Sequence, residues 1–263
     1  MDVGPLKSPV FLLNSGIAWA ESQDAAAAWV KVAGVPDTSV SVSGDDIYCP
    51  SLTEIVMYGG VCEQTIASQL RFTSPSMLEF GFEEYVSNIG SGLTFGDPPQ
   101  VTDKRSNPIS LTEQEAIQNE LYNNPGSAAY SYAFMNLSDG PITPLSGAAI
   151  RTVRCTSAAS LSAGNWASSS LTFPVSLRAG NYQCVGARCN SANGVVFRLL
   201  FQGSPWRPGG IVVNDEAEIG NDIQRQGQLG IWGEFDSRTT PQIEVLGVTD
   251  SAQEVFLDLI YLG

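Results

Sequence analysis

Two stretches near the end of the chain decide how it is read: Gln242-Ile243-Glu244-Val245-Leu246-Gly247-Val248, and Glu254-Val255-Phe256-Leu257-Asp258-Leu259-Ile260-Tyr261-Leu262. Only Thr249-Asp250-Ser251-Ala252-Gln253 separates them, a spacer of hairpin length. In the first, Ile243 and Val245 alternate with Gln242 and Glu244, and the second alternates around Asp258. A period of two puts successive side chains on opposite faces of a strand, so one face is buried and the other is wet or covered. Both runs therefore predict strands of a β-sandwich.

Working outward, Val195–Phe201 and Gly230–Phe235 have the same character: short, β-branched or aromatic, and bounded by turn residues. The composition agrees, with 26 Gly, 15 Pro and only 15% charged residues, against about 25% in an ordinary soluble domain. Low charge suits a subunit whose flanks are covered by neighbours, and it suits a secreted β-protein equally. The 263 residues can form one large all-β domain or two halves.

Charge is unevenly distributed. Residues 1–139 carry seventeen acids and five bases, residues 140–214 carry no acid and six arginines, and residues 215–263 carry ten acids and two arginines. The six are Arg151, Arg154, Arg178, Arg188, Arg198 and Arg207. They can pair internally with acids on neighbouring strands, or form a basic surface for an acidic partner such as the flank of an identical copy. Arginine favours planar, bidentate partners over loose counter-ion contact. A net charge of −14 repels nucleic acid, so sequence-specific nucleic-acid binding is not expected.

Five cysteines (Cys49, Cys62, Cys155, Cys184, Cys189) show no C-x-x-C spacing, and the chain has no histidine, which leaves zinc too few ligands. Cys184 and Cys189 can either bridge across a turn at Val185–Arg188 or stay buried as free thiols. The start Met1-Asp2-Val3-Gly4-Pro5 lacks the basic and apolar regions of a signal peptide, and no run reaches the roughly twenty apolar residues of a membrane helix. Synthesis in a cytoplasm is expected.

Earlier in the chain, Ser22–Gly34 predicts a helix, capped by Ser22, favoured by Ala25–Ala28 and stopped by Gly34 and Pro36, with a strand at Ala28–Val32 as the alternative. Glu54–Tyr58, Ile66–Thr73 and Met77–Ile89 predict strands. Ser110-Leu111-Thr112-Glu113 has the spacing of a capping box and predicts a helix from residue 110 to 122, closed by Asn123-Asn124-Pro125-Gly126. Further strands are predicted at Ala128–Leu137, Ala148–Ser157, Leu171–Leu177 and Tyr182–Ala187, with a polar loop at Ala158–Ser170.

Catalytic arrangements are scarce. Without histidine, Ser-His-Asp, Cys-His and His-metal sites are impossible. The carboxylate pairs Glu79/Glu83 and Glu234/Asp236 read as solvated strand faces, and Asp45-Asp46 and Asp215–Glu218 lack EF-hand spacing. Trp19, Trp29, Trp166, Trp206 and Trp232 could form a sugar platform, but large aromatics in an all-β chain more often anchor cores and interfaces. No enzyme, cofactor or metal is expected.

Two β-rich halves, a helix near their join, the Tyr182–Leu200 run, the Arg207-Pro208-Gly209 turn and Leu229–Phe235 together resemble the double-jelly-roll major capsid proteins of icosahedral, membrane-containing bacterial viruses. That resemblance implies an all-β fold of two jelly-roll β-sandwich barrels in tandem with one or two short helices. The first barrel would span residues 1–125 with helix 110–122, and the second residues 126–263. It implies a structural protein of the virion that self-assembles as trimers into an icosahedral shell. Minor capsid or spike proteins and an internal membrane would be further partners, and the charge block, not the resemblance, makes the six arginines the candidate inter-subunit contacts. A carbohydrate-binding or adhesive β-sandwich, such as a spike, fibre or lectin-like module, is the alternative.

Overall fold

The computed structural model describes residues 13–23, 28–36, 41–48, 53–62, 69–79, 84–86, 101–104, 106–112, 114–122, 129–138, 149–212, 231–247 and 249–263. They form antiparallel sheets almost throughout. One sheet of the N-terminal half runs β1 (Leu13–Gln23), β11 (Ala129–Ser138), β5 (Thr53–Cys62) and β8 (Val101–Asp103), with β9 (Ile109–Leu111) also on β5. Its partner runs β3 (Ser41–Ser43), β4 (Asp46–Tyr48), β10 (Ala116–Tyr122), β6 (Gln69–Thr73) and β7 (Glu84–Val86), with β2 (Trp29–Val32) on β10. In the C-terminal half, one sheet runs β12 (Arg151–Ser157), β19 (Gln253–Tyr261), β14 (Asn181–Ser191) and β17 (Gly233–Asp236). The other runs β13 (Trp166–Ser170), β18 (Gln242–Gly247), β15 (Gly194–Leu200) and β16 (Gly209–Ile211).

The two halves repeat one connection order. Counted from β12, the C-terminal sheets run first-eighth-third-sixth and second-seventh-fourth-fifth. The N-terminal half follows the same order when β2–β4 fill the second place and β8–β9 the sixth. The last strand of each half lies beside its first, so non-local pairing closes each half on itself.

The hydrophobic pattern explains how these layers stack. Ile17 and Trp19 of β1, Ile55 and Tyr58 of β5, and Ala133, Met135 and Leu137 of β11 face a core shared with Ile47, Leu70, Phe72, Ile117 and Leu121. The intervening residues Ala18, Ala20, Val56, Met57, Tyr132 and Phe134 are just as buried, and they join the apolar cluster of the C-terminal half. A register shift opposite Asn136/Leu137 brings both Val56 and Met57 to that second face. Around these residues β1, β5 and β11 are dry on both sides, which is why β5 and β11 read as continuous rather than alternating apolar runs. Asn136 Nδ2 donates to the Gly209 carbonyl at 2.8 Å across the contact with β16. A side chain at position 209 would place its Cβ 2.1 Å from the Phe197 carbonyl, so glycine permits the close approach of β16 to β15.

Several expectations are corrected. The helix predicted at 110–122 is absent: the segment forms β9, a turn, and β10. Ile117, Asn119 and Leu121 are fully buried while Gln118 and Glu120 point the other way, a period of two that capping and a narrow 3.6-residue stripe disguised. Pairing with β2, β4 and β6 then outweighs local helix propensity. Trp29–Val32 is likewise a strand, the alternative for that segment, because Val30 and Val32 pair with Leu121 and Asn119. Strand was predicted through Met77–Ile89. Glu84–Val86 within it is β7, but Pro75–Glu79 is helix α1, with Ser74 Oγ accepting from the Met77 amide at 3.2 Å and proline in the first turn. Trp166–Ser170, predicted as loop, is β13, whereas Leu171–Leu177 contributes only a bridge at Thr172. β11, which follows residue 126, pairs with β1 and β5 of the N-terminal sheet. Sheet membership changes between Ser138 and Arg151. The acidic span Asp215–Gln228 lies outside the described residues.

Candidate assembly surface

The six arginines are placed by three kinds of local structure. Arg154 and Arg188 flank Phe256, one on each neighbouring strand, on the face of the β12–β19–β14 sheet opposite Cys155, Val255 and Cys189. Arg154 forms an ion pair with Glu254, and the Arg188 guanidinium lies 5.0 Å from the Phe256 ring. On the same face, Thr152 Oγ1 donates to Asp258 Oδ1 at 2.5 Å. Arg198 sits on β15 opposite Glu244 of β18, its Nε 2.5 Å from Glu244 Oε2 and its guanidinium 4.0 Å from the Trp166 ring. It is only 3% exposed, so the chain itself consumes this charge. Arg207 turns back on its own loop, with Nη1 donating to the carbonyls of Ser204 (2.9 Å) and Trp206 (3.1 Å).

Arg151 and Arg178 reach the surface, as does Arg154, which is 62% exposed beside Glu254. Arg178 stands 4.9 Å from the Tyr261 ring, and Tyr261 Oη donates to the Ala179 carbonyl. The adjoining chain end is stitched to β14, with Asn181 N donating to the Gly263 carbonyl and Leu262 N to the Asn181 carbonyl. Val175, 77% exposed, and Leu262, 50% exposed, are the large apolar side chains left in solvent among the described residues. They lie on the two segments that carry Arg178 and Tyr261. This end of the C-terminal half therefore combines exposed apolar surface with a cation.

Among the described residues, several other charges are paired locally. Arg71 pairs with Glu120 at 2.6 Å and lies 4.1 Å from the Trp29 ring, Asp46 accepts from Gln118 and lies near Lys31, and Asp236 holds Arg238. Glu115 joins α1 to the β9–β10 turn. Its carboxylate accepts from Ser76 N (2.7 Å), Ser76 Oγ (2.8 Å), Thr112 N (2.8 Å) and Thr112 Oγ1 (2.9 Å). Burial works to raise its pKa, but hydrogen bonds from Ser74, Thr112 and Ser76 outweigh it and lower the group to about 2. The residue was hidden in the sequence by the apparent cap at Ser110/Glu113, one turn earlier.

Cys184 and Cys189 lie on one continuous strand without the turn a bridge would need; both are free and buried, as is Cys155. Burial pushes the Cys155 and Cys184 thiols up to about 12. No group of three or more His, Cys, Asp or Glu with metal-binding proximity occurs among the described residues. Of the tryptophans, Trp19 and Trp232 are core, Trp29 and Trp166 carry arginines, and Trp206 is half-buried beside a surface groove. That groove is formed by Phe201–Trp206 and Trp232–Glu234, segments too far apart in sequence to suggest each other.

No protein-family model and no curated protein matches the chain. Among solved structures it is similar to the crystal structure of the major capsid protein P2 from bacteriophage PM2, at 8% identity over 95% of this chain and 98% of that one, with a TM-score of 0.23. A likeness this loose fixes neither fold nor role.

Proposed function

We propose that the chain is a structural coat subunit: two jelly-roll sandwiches in tandem that assemble with identical copies, as trimers, into a closed icosahedral virion shell. The observation that carries this reading is the repeated strand order of the two halves, fused through a sheet that is dry on both faces. A jelly roll is eight strands in two such sheets. Two alike units side by side offer repeated flanks, and three copies would offer six, which suits tiling of a surface. The division between units falls in residues 139–150.

Charge and surface support the same reading. An acidic N-terminal half and an exposed end bearing Arg178, Val175 and Leu262 favour contacts between unlike flanks of neighbouring copies and disfavour contacts between like ones. Arg151 and Arg178 are the arginines best placed for this, and Arg198 is engaged within the subunit. The role is scaffolding, without catalysis or cofactor. Minor coat proteins and an internal membrane remain further proposed partners.

Light scattering and electron microscopy of the purified chain test the proposal. Trimers or closed shells are expected, with Arg178→Glu abolishing them and leaving the circular dichroism spectrum unchanged. A chain that stays monomeric at all concentrations and ionic strengths rejects it.

A further inference from the structure

The groove on the flank of the C-terminal half lies where β15 leads towards edge strand β16 of one sheet and where edge strand β17 of the other begins. Its volume is about 450 Å³, within the range of small-ligand sites and far larger than a single side-chain head group requires. Three interactions hold the wall at residues 201–207. Ser204 N donates to the Phe201 carbonyl at 3.1 Å, with Gly203 at φ +79° completing the turn. Ser204 Oγ accepts from Trp206 N at 3.2 Å, and Arg207 clamps the carbonyls of Ser204 and Trp206. The opposite wall is fixed by Trp232 N, which donates to the Cys184 carbonyl at 2.8 Å. Position 233 must be glycine, because a Cβ there would lie 2.4 Å from the Phe201 ring. The loop is therefore shaped in advance, which lowers the ordering cost of binding.

The lining mixes aromatic surface with planar polar groups. Trp206 supplies a partly open indole, Gln202 an exposed amide, and Glu234 an exposed carboxylate whose Oε1 is oriented by Gln183 Nε2 at 2.7 Å. Trp232, 1% exposed, backs the groove from the core.

We propose that this groove binds a neutral sugar residue of a glycan. A pyranose has an apolar C–H face that stacks on indole and hydroxyls that both donate and accept, which matches Trp206 beside Gln202 and Glu234. Glu234 and the net charge of −14 disfavour acidic sugars. The site goes beyond the coat role and does not depend on assembly.

Saturation-transfer NMR and tryptophan fluorescence on the full-length chain, with glucose, galactose, mannose, N-acetylglucosamine and their disaccharides as probes, test it. At least one neutral sugar should bind with a dissociation constant below about 10 mM, the weak end of small-ligand affinity. Trp206→Ala should weaken that binding roughly tenfold or more, as loss of an aromatic anchor does, and Glu234→Gln should weaken it measurably with the fold intact. The proposal is overturned if no sugar in the panel binds, or if binding is unchanged in both variants. It is also overturned if N-acetyl-arginine amide occupies the groove where the sugars do not, which would make it a socket for a neighbouring arginine.

Discussion

Asn136 and Gly209, 73 residues apart in sequence, are joined by a 2.8 Å hydrogen bond from the buried Asn136 amide to the Gly209 carbonyl. This bond ties the last strand of the N-terminal half to an edge strand of the C-terminal half, in surroundings otherwise lined by Phe134, Tyr132 and Val212. Tyr132 Oη makes a second, longer contact to the Gly247 carbonyl at 3.4 Å. Replacing Asn136 by Leu should lower stability by about 1–3 kcal/mol, the cost of stranding a buried carbonyl. Urea unfolding checks the size. A single cooperative transition should persist, because the apolar contact between the halves remains.

Glu115 gives the fold an acid-sensitive term. Its carboxyl is lowered in the folded chain from 4.5 to about 2, so its contribution is fully present above pH 4.5 and is lost as pH falls from there towards 2. Glu115→Gln should cost about 1.5–3 kcal/mol at pH 7, the range for hydrogen bonds to a charged group. The variant should also show a flatter stability profile between pH 4.5 and 2. Urea midpoints measured across that window decide it, and parallel profiles for the two proteins would mean that Glu115 carries no such term.

Arg198 and Arg178 should respond differently to charge reversal. Arg198→Glu sets two carboxylates against each other at Glu244 and removes the cation above Trp166, so a loss of about 3–5 kcal/mol is expected, as for breaking a buried pair. Arg178→Glu alters an exposed side chain and should change thermal stability by no more than about 0.5 kcal/mol. Calorimetry on the two variants separates internal from surface roles.

The buried thiols should be inert in the native state. With the thiol pKa near 12 for Cys155 and Cys184, the thiolate fraction at pH 8 is on the order of 10⁻⁴. In a Cys49→Ser, Cys62→Ser background, a colorimetric thiol reagent should titrate none of the remaining three in native buffer and all of them in denaturant. Rapid native labelling would contradict their burial.

The strand regions around Val195–Phe201, Gln242–Val248 and Glu254–Leu262 were legible in the sequence because each is short, apolar and bounded by turn residues. The segment 110–122 misled because Leu111, Ile117 and Leu121 fit a helical stripe, while the buried polar Asn119, which completes the two-residue period, looks like a surface residue. Asn119 is tolerated in the core because its Nδ2 reaches the Arg71 carbonyl on the neighbouring strand, a contact across 48 positions. Non-local pairing also decided Trp29–Val32 against the alanine run before it. The arginine block stood out as a charge anomaly, but its resolution into ion pairs, ring contacts and carbonyl contacts depends on strand register, which composition does not encode. The groove is invisible in the sequence for the same reason: only the fold brings Trp206 and Trp232 to one groove.

The central sheet of β1, β5 and β11, apolar on either side, makes the two halves inseparable as objects. Severing the chain in residues 139–150 would strip a hydrophobic slab containing Ala18, Val56, Tyr132 and Phe134 of its cover, and the N-terminal fragment would precipitate instead of standing alone. Such a chain can be lengthened at its loops, but it cannot be divided, so a change that loosens one half is felt by the other.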